Sequence, residues 1–77
     1  MNEQLGLKIL RLYRGPGDEA WDLHAFFDLA GDATDRQAVL ETVDALVLAG
    51  HLDSRGSDFY TLSQKGHEAA RRGRLEL

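Results

Sequence analysis

The stretch from Gly50 to Ala70, GHLDSRGSDFYTLSQKGHEAA, most narrows what this chain can become. His51–Arg55 and Phe59–Leu62 read as two short strands around Gly56-Ser57, a pair suited to a two-residue hairpin turn. By alternation Leu52, Tyr60 and Leu62 share one side of that ribbon. A two-stranded hairpin is marginal in water, so its apolar side needs helices to cover it. An apolar-periodic helix ends at Gly50 just before the hairpin, and Ser63 is placed to cap another just after it.

The rest of the chain supplies those helices. Residues 2–14 carry Leu5, Ile9, Leu12 and Tyr13 at helical spacing, with Leu10 on the flank and Lys8, Arg11 and Arg14 opposite. Gly15-Pro16-Gly17 breaks this helix and lacks the lysine and spacing of a phosphate-binding loop. Ala20-Trp21 reads as a brief extended segment, with Asp22 capping a second helix over Leu23–Leu29 and Trp21 set as a hydrophobic staple. Thr34 and Gln37 fit the capping box of a third helix reaching Ala49, with Val39, Val43, Leu46 and Val47 inward. The last helix runs from Ser63 to about Gly73, and the residues after it read as a loose tail.

Composition bounds the function classes. Seventy-seven residues, 43% hydrophobic and 29% charged, describe one globular α+β domain near the lower size limit for a self-sufficient core. The chain has no cysteine, which excludes disulfides, thiolate metal sites and cysteine catalysis. Lys8 and Arg11 interrupt the N-terminal apolar positions, so that stretch is not read as a signal peptide, and no apolar run approaches a membrane span. The expectation is a cytoplasmic protein without a membrane partner.

No cofactor is expected. His24 and Asp28 stand four apart on one helix, but two ligands without a third do not make a metal site. His51 and His67 do not complete one. Ser, His and Asp occur without a nucleophile elbow, and so small a filled domain leaves little room for a substrate pocket. The chain is therefore not expected to be an enzyme.

Charge is unevenly placed. The net charge is −4, but residues 17–47 hold eight acids against the single base Arg36, while Lys8, Arg11, Arg14, Arg55, Lys65, Arg71, Arg72 and Arg74 lie on either side. Nucleic-acid binders draw most of their affinity from phosphate neutralisation, so a basic footprint would have to come from the two ends and the hairpin.

Two runs of residues carry a family likeness. Leu46-Val47-Leu48-Ala49-Gly50-His51-Leu52 resembles the leucine, three residues, glycine, one residue, aliphatic join of winged-helix regulators. Tyr60-Thr61-Leu62-Ser63-Gln64-Lys65-Gly66 resembles the tyrosine, any residue, leucine, Thr/Ser, two residues, glycine run that follows their wing. The chain resembles a minimal member of the MarR/PadR/ArsR-like winged helix-turn-helix group over roughly residues 20–70. That likeness implies a three-helix core, a two- or three-stranded wing and a C-terminal helix. It makes the helix from Thr34 to Ala49 the recognition helix and residues 55–58 the wing. Its metal-sensing cysteines are absent here.

The resemblance implies a small transcriptional regulator that binds double-stranded DNA as a homodimer. The candidate DNA-binding residues are Thr34, Arg36 and Gln37 on the recognition helix, Arg55 and Ser57 in the wing, and Lys65 after it. Arginine pairs with guanine and glutamine with adenine, whereas Leu40, Glu41 and Asp44 on the same exposed side do not suit a phosphate-rich groove. Gln37 also suits a cap, and Lys65 with Arg71, Arg72 and Arg74 also suits dipole matching and solubility. The alternative is a winged-helix protein-interaction module whose acidic helices dock a basic partner. Phe26 is expected in the core and Phe27 at an interface.

Overall fold

The computed structural model describes residues 2–31 and 36–75. Among these residues the order is α1 (Glu3–Leu10), β1 (Ala20–Asp22), α2 (Leu23–Ala30), α3 (Arg36–Leu48), β2 (Leu52–Ser54), β3 (Phe59–Leu62) and α4 (Gln64–Arg72). Four helices and a three-stranded antiparallel sheet make an α+β fold. The expected element order holds throughout, and the extended segment at Ala20-Trp21 is a third strand.

The helix boundaries follow from capping chemistry. Asn2, Asp22 and Ser63 are N-caps whose side-chain oxygens accept from the backbone N–H of Leu5, Ala25 and Gly66. Each satisfies a donor that the first helical turn leaves without an intrahelical partner. The expected capping box at Thr34 lies outside the described residues. α1 stops at Leu10 rather than reaching Arg14: Leu12 and Tyr13 make tighter bonds to the carbonyls of Ile9 and Leu10, three residues back. Leu10 is fully buried in the core and Leu12, past the end of the regular helix, only half-buried, the reverse of the spacing-based expectation.

Strand β3 lies at the centre of the sheet, in the order β1-β3-β2. Its register puts Leu52 opposite Leu62, Ser54 opposite Tyr60, and Trp21 opposite Tyr60 on the other edge. Leu52 and Leu62 are buried and Tyr60 is half-buried, as the alternation predicts. The turn is longer than the expected two residues. Arg55 donates to the Phe59 carbonyl, and Gly56, Ser57 and Asp58 all take positive φ (78°, 47° and 65°). Asp and Ser accept this conformation at some cost, and Gly freely, which confines such a loop to a run of this composition.

The core is one cluster in which Leu5, Ile9, Leu10 and Tyr13 from α1 meet Phe26, Val39, Val43, Leu46, Leu52, Leu62, Ala69 and Leu75. Phe26 is fully buried and its ring lies 5.9 Å from that of Tyr60. The Tyr13 hydroxyl donates to the Tyr60 carbonyl at 2.6 Å, tying α1's end to the central strand. Thr42, among the apolar residues of α3, is fully buried because its hydroxyl donates to the Ala38 carbonyl one turn back. The segment after Gly73 is not loose as far as Leu75. That side chain is buried against Gly6 of α1, and its N–H donates to the Glu3 carboxylate. Burying this leucine and bonding its N–H to Glu3 together offset the freedom that the short segment loses.

Candidate nucleic-acid interface

α3 determines what this surface offers. With 3.6 residues per turn, burying Val39, Val43 and Leu46 leaves Gln37, Glu41, Asp44 and Leu48 as the stripe on the far side. All four are exposed, and Leu48 is 88% exposed. Leu40, at 37%, stands on the shoulder of this stripe. The centre of the face is thus acidic and apolar, and its nitrogen-bearing side chains are confined to the first turn.

Four of the candidate contact residues, Arg36, Gln37, Arg55 and Lys65, have a defined local partner. The Arg36 guanidinium lies over the Phe27 ring, 4.7 Å from its centroid, an arrangement favoured because the ring face is electron-rich. Phe27, the residue expected at an interface, is half-buried with Arg36 over its ring. The Gln37 amide donates to Glu41 at 3.3 Å, one turn on. Arg55 donates through Nε to the Thr61 hydroxyl at 3.0 Å, which holds its side chain across the hairpin while the residue stays exposed. Ser57 sits exposed at the loop with φ 47°. Lys65 donates to the Ala49 carbonyl at 2.7 Å, capping the C-terminal end of α3. Thr34 lies outside the described residues.

The structure therefore brings Arg36 and Gln37 together at the start of α3 and holds Arg55 and Ser57 on the hairpin loop. It places Lys65 at the opposite end of α3. Two of the basic residues near the termini are engaged elsewhere: Arg11 of the α1 C-cap donates to the Ala70 carbonyl of α4, and Arg71 pairs with Glu68 within α4 at 2.9 Å. This pairing and a hydrogen bond from Gln64 hold the Glu68 carboxyl below the usual carboxylate range.

One part of this surface was not singled out from sequence. Asp44, Val47 and Leu48 of α3 form a groove with Ser54 and Tyr60 of the sheet. Leu48 falls inside the Leu46–Gly50 join, and its position off the buried stripe is the signal that distinguishes it from Leu46. The Tyr60 phenol is pushed above its usual range, chiefly by burial and then by the negative charges of Asp58 and Asp44.

Among the described residues no group of three or more His, Asp or Glu side chains could hold a metal ion, and no helix is long and apolar enough to cross a membrane. His24 faces Asp22, with Nδ1 3.8 Å from the carboxylate, while His51 is fully buried beneath the start of β2. No protein-family profile, curated protein or solved structure significantly matches this chain.

Proposed function

We propose that this chain is a winged helix-turn-helix module that binds double-stranded DNA as a small regulator, acting as a homodimer. The observation that carries the reading is the arrangement of α2 and α3 ahead of a hairpin whose second strand lies central in a β1-β3-β2 sheet. In a winged helix the third helix approaches the major groove and the hairpin flanks it. The first turn of α3 supplies Arg36 and Gln37, and the hairpin supplies Arg55 and Ser57.

The acidic middle of α3 limits this contact to the helix start and the loop. Glu41 and Asp44 repel phosphate, so a single copy has a small footprint and two copies are needed for useful affinity. Arg36 would leave Phe27 to reach a base edge, and Arg55 would exchange Thr61 for backbone or minor groove.

The test is titration of a generic duplex at about 150 mM salt and below, nonspecific binders showing dissociation constants of about 10⁻⁴ to 10⁻⁶ M at the physiological value and tighter ones as salt falls. Arg36→Ala and Arg55→Ala are each expected to weaken binding, and loss of a phosphate contact should reduce the salt slope by about one unit. Glu41→Lys should strengthen it. Absence of binding at about 10⁻⁴ M, or binding indifferent to both arginine substitutions, overturns the proposal.

A further inference from the structure

We propose that the groove between the C-terminal half of α3 and the face of the sheet docks a protein segment that presents an apolar side chain flanked by lysine or arginine. The groove has a volume of about 320 Å³ and is lined by Asp44, Val47, Leu48, Ser54 and Tyr60. The groove uses none of Arg36, Gln37, Arg55 or Ser57, the residues of the DNA reading. Along α3 it begins eight residues after Arg36, about 12 Å at 1.5 Å per residue.

Three features converge there. Leu48 is 88% exposed beside the half-buried Val47 and Tyr60, so the floor and one wall are apolar and open to water. Covering such a side chain removes apolar surface from water, which makes it a natural anchor for a partner. Asp44 lines the groove, and Glu41 lies about one turn before it on the same exposed stripe of α3. Among the described residues no basic side chain lines the groove. Apolar contact in the floor with negative charge at the rim is complementary to a cationic, apolar-centred segment and repels an anionic one.

Charge also separates this occupant from the alternatives. Duplex DNA carries a dense negative charge and would be repelled by Asp44 and the neighbouring Glu41. A second copy of this chain placed groove to groove would set those carboxylates against their equivalents, because a two-fold contact opposes the same patch to itself.

The experiment uses the full chain and a fluorescent peptide in which leucines are flanked by lysines, read by anisotropy and by amide chemical-shift mapping. Two control peptides replace lysine with glutamate or leucine with serine. The expected result is saturable binding of the lysine–leucine peptide, with shifts concentrated at Asp44, Val47, Leu48, Ser54 and Tyr60. Leu48→Ser and Asp44→Lys are each expected to weaken it about tenfold, a loss of about 1.4 kcal/mol. Leu48 and Asp44 are exposed, so both variants should unfold at the wild-type midpoint, and Asp44→Asn should fall between wild type and Asp44→Lys. The proposal is overturned by equal binding of the serine or glutamate peptide, or by shifts spread over the whole acidic surface. A chain that self-associates and is made monomeric by Leu48→Ser also overturns it, since the groove would then be filled by its own copy.

Discussion

Replacing Gly66 with alanine tests how α4 is docked. Gly66 is buried in the first turn of α4, where an added Cβ would lie 2.1 Å from the His51 carbonyl oxygen, 2.9 Å from its carbon and 2.9 Å from Leu62 Cδ1. The first contact is with backbone, which cannot rotate away, and ordinary contact begins at 3.4 Å. Helix α4 must therefore retreat by more than about 1 Å, overpacking that costs about 1–3 kcal/mol. The retreat strains bonds that join this corner: Ser63 N–H to the His51 carbonyl, the Ser63 hydroxyl to the Gly50 carbonyl, and Lys65 to the Ala49 carbonyl. Each is worth about 0.5–1.5 kcal/mol net. Alanine returns about 1 kcal/mol of helix propensity. The balance is a destabilisation of about 2–4 kcal/mol, a large part of the roughly 4–12 kcal/mol expected for a chain of this length.

Urea unfolding followed by circular dichroism and Trp21 fluorescence measures this change. The midpoint should fall by about 2 M at an unchanged slope near 1–2 kcal/mol/M. Gly15→Ala is the control, because nothing lies within 4 Å of the added carbon and Gly15 is not among the positive-φ residues. It should be neutral or stabilising by up to about 1 kcal/mol through the unfolded chain. If Gly66→Ala unfolds at the wild-type midpoint or above, the close approach of α4 to His51 is wrong.

Burial, and then the nearby Glu19 charge, push the Tyr13 phenol above its ordinary range, so its neutral form is favoured in the folded state. Stability should be complete below the unfolded value near 10 and fall as pH rises past it, because the unfolded chain then gives up a proton that the folded chain keeps. Tyr13→Phe should cost about 1 kcal/mol at pH 7, through the lost bond to the Tyr60 carbonyl, and flatten that alkaline limb in pH-dependent denaturation. The Glu19 carboxyl is held below its usual range, first by the Arg14 backbone N–H and then by the Trp21 indole. Its contribution is present above the unfolded value and lost as pH falls through the folded one; acid titration of Glu19→Gln should lack that part of the decline. Leu75→Ala should lower the melting temperature by removing about 2 kcal/mol of packing against Gly6, and an unchanged value would return the tail to solvent.

The local signals in the sequence were strong where they rested on a residue's own chemistry. Asp22 and Ser63 accept from the donors that their side chains are built to cap, and the alternation of Leu52, Tyr60 and Leu62 fixes the buried side of the ribbon. The Tyr60–Gly66 run, read at first as a family likeness, has a packing meaning of its own: Ser63 caps α4 and Gly66 lets its first turn lie against His51. That contact joins residues fifteen positions apart and cannot be inferred from helical or strand periodicity.

The candidate site was legible only as a set of residue types. Arg36, Gln37, Arg55 and Lys65 have nitrogen donors suited to DNA, but their sequence does not say that Phe27, Glu41, Thr61 and the Ala49 carbonyl hold those donors. Periodicity, caps and turn residues determined four helices and the hairpin, and the buried side of most of them, because these depend on neighbours within a few residues. Tertiary structure decided that Leu10 is core, that Leu75 returns to α1, and that Leu48 opens beside Tyr60. Those outcomes depend on how separate elements close around a shared volume, where burial is set by what arrives from elsewhere in the chain.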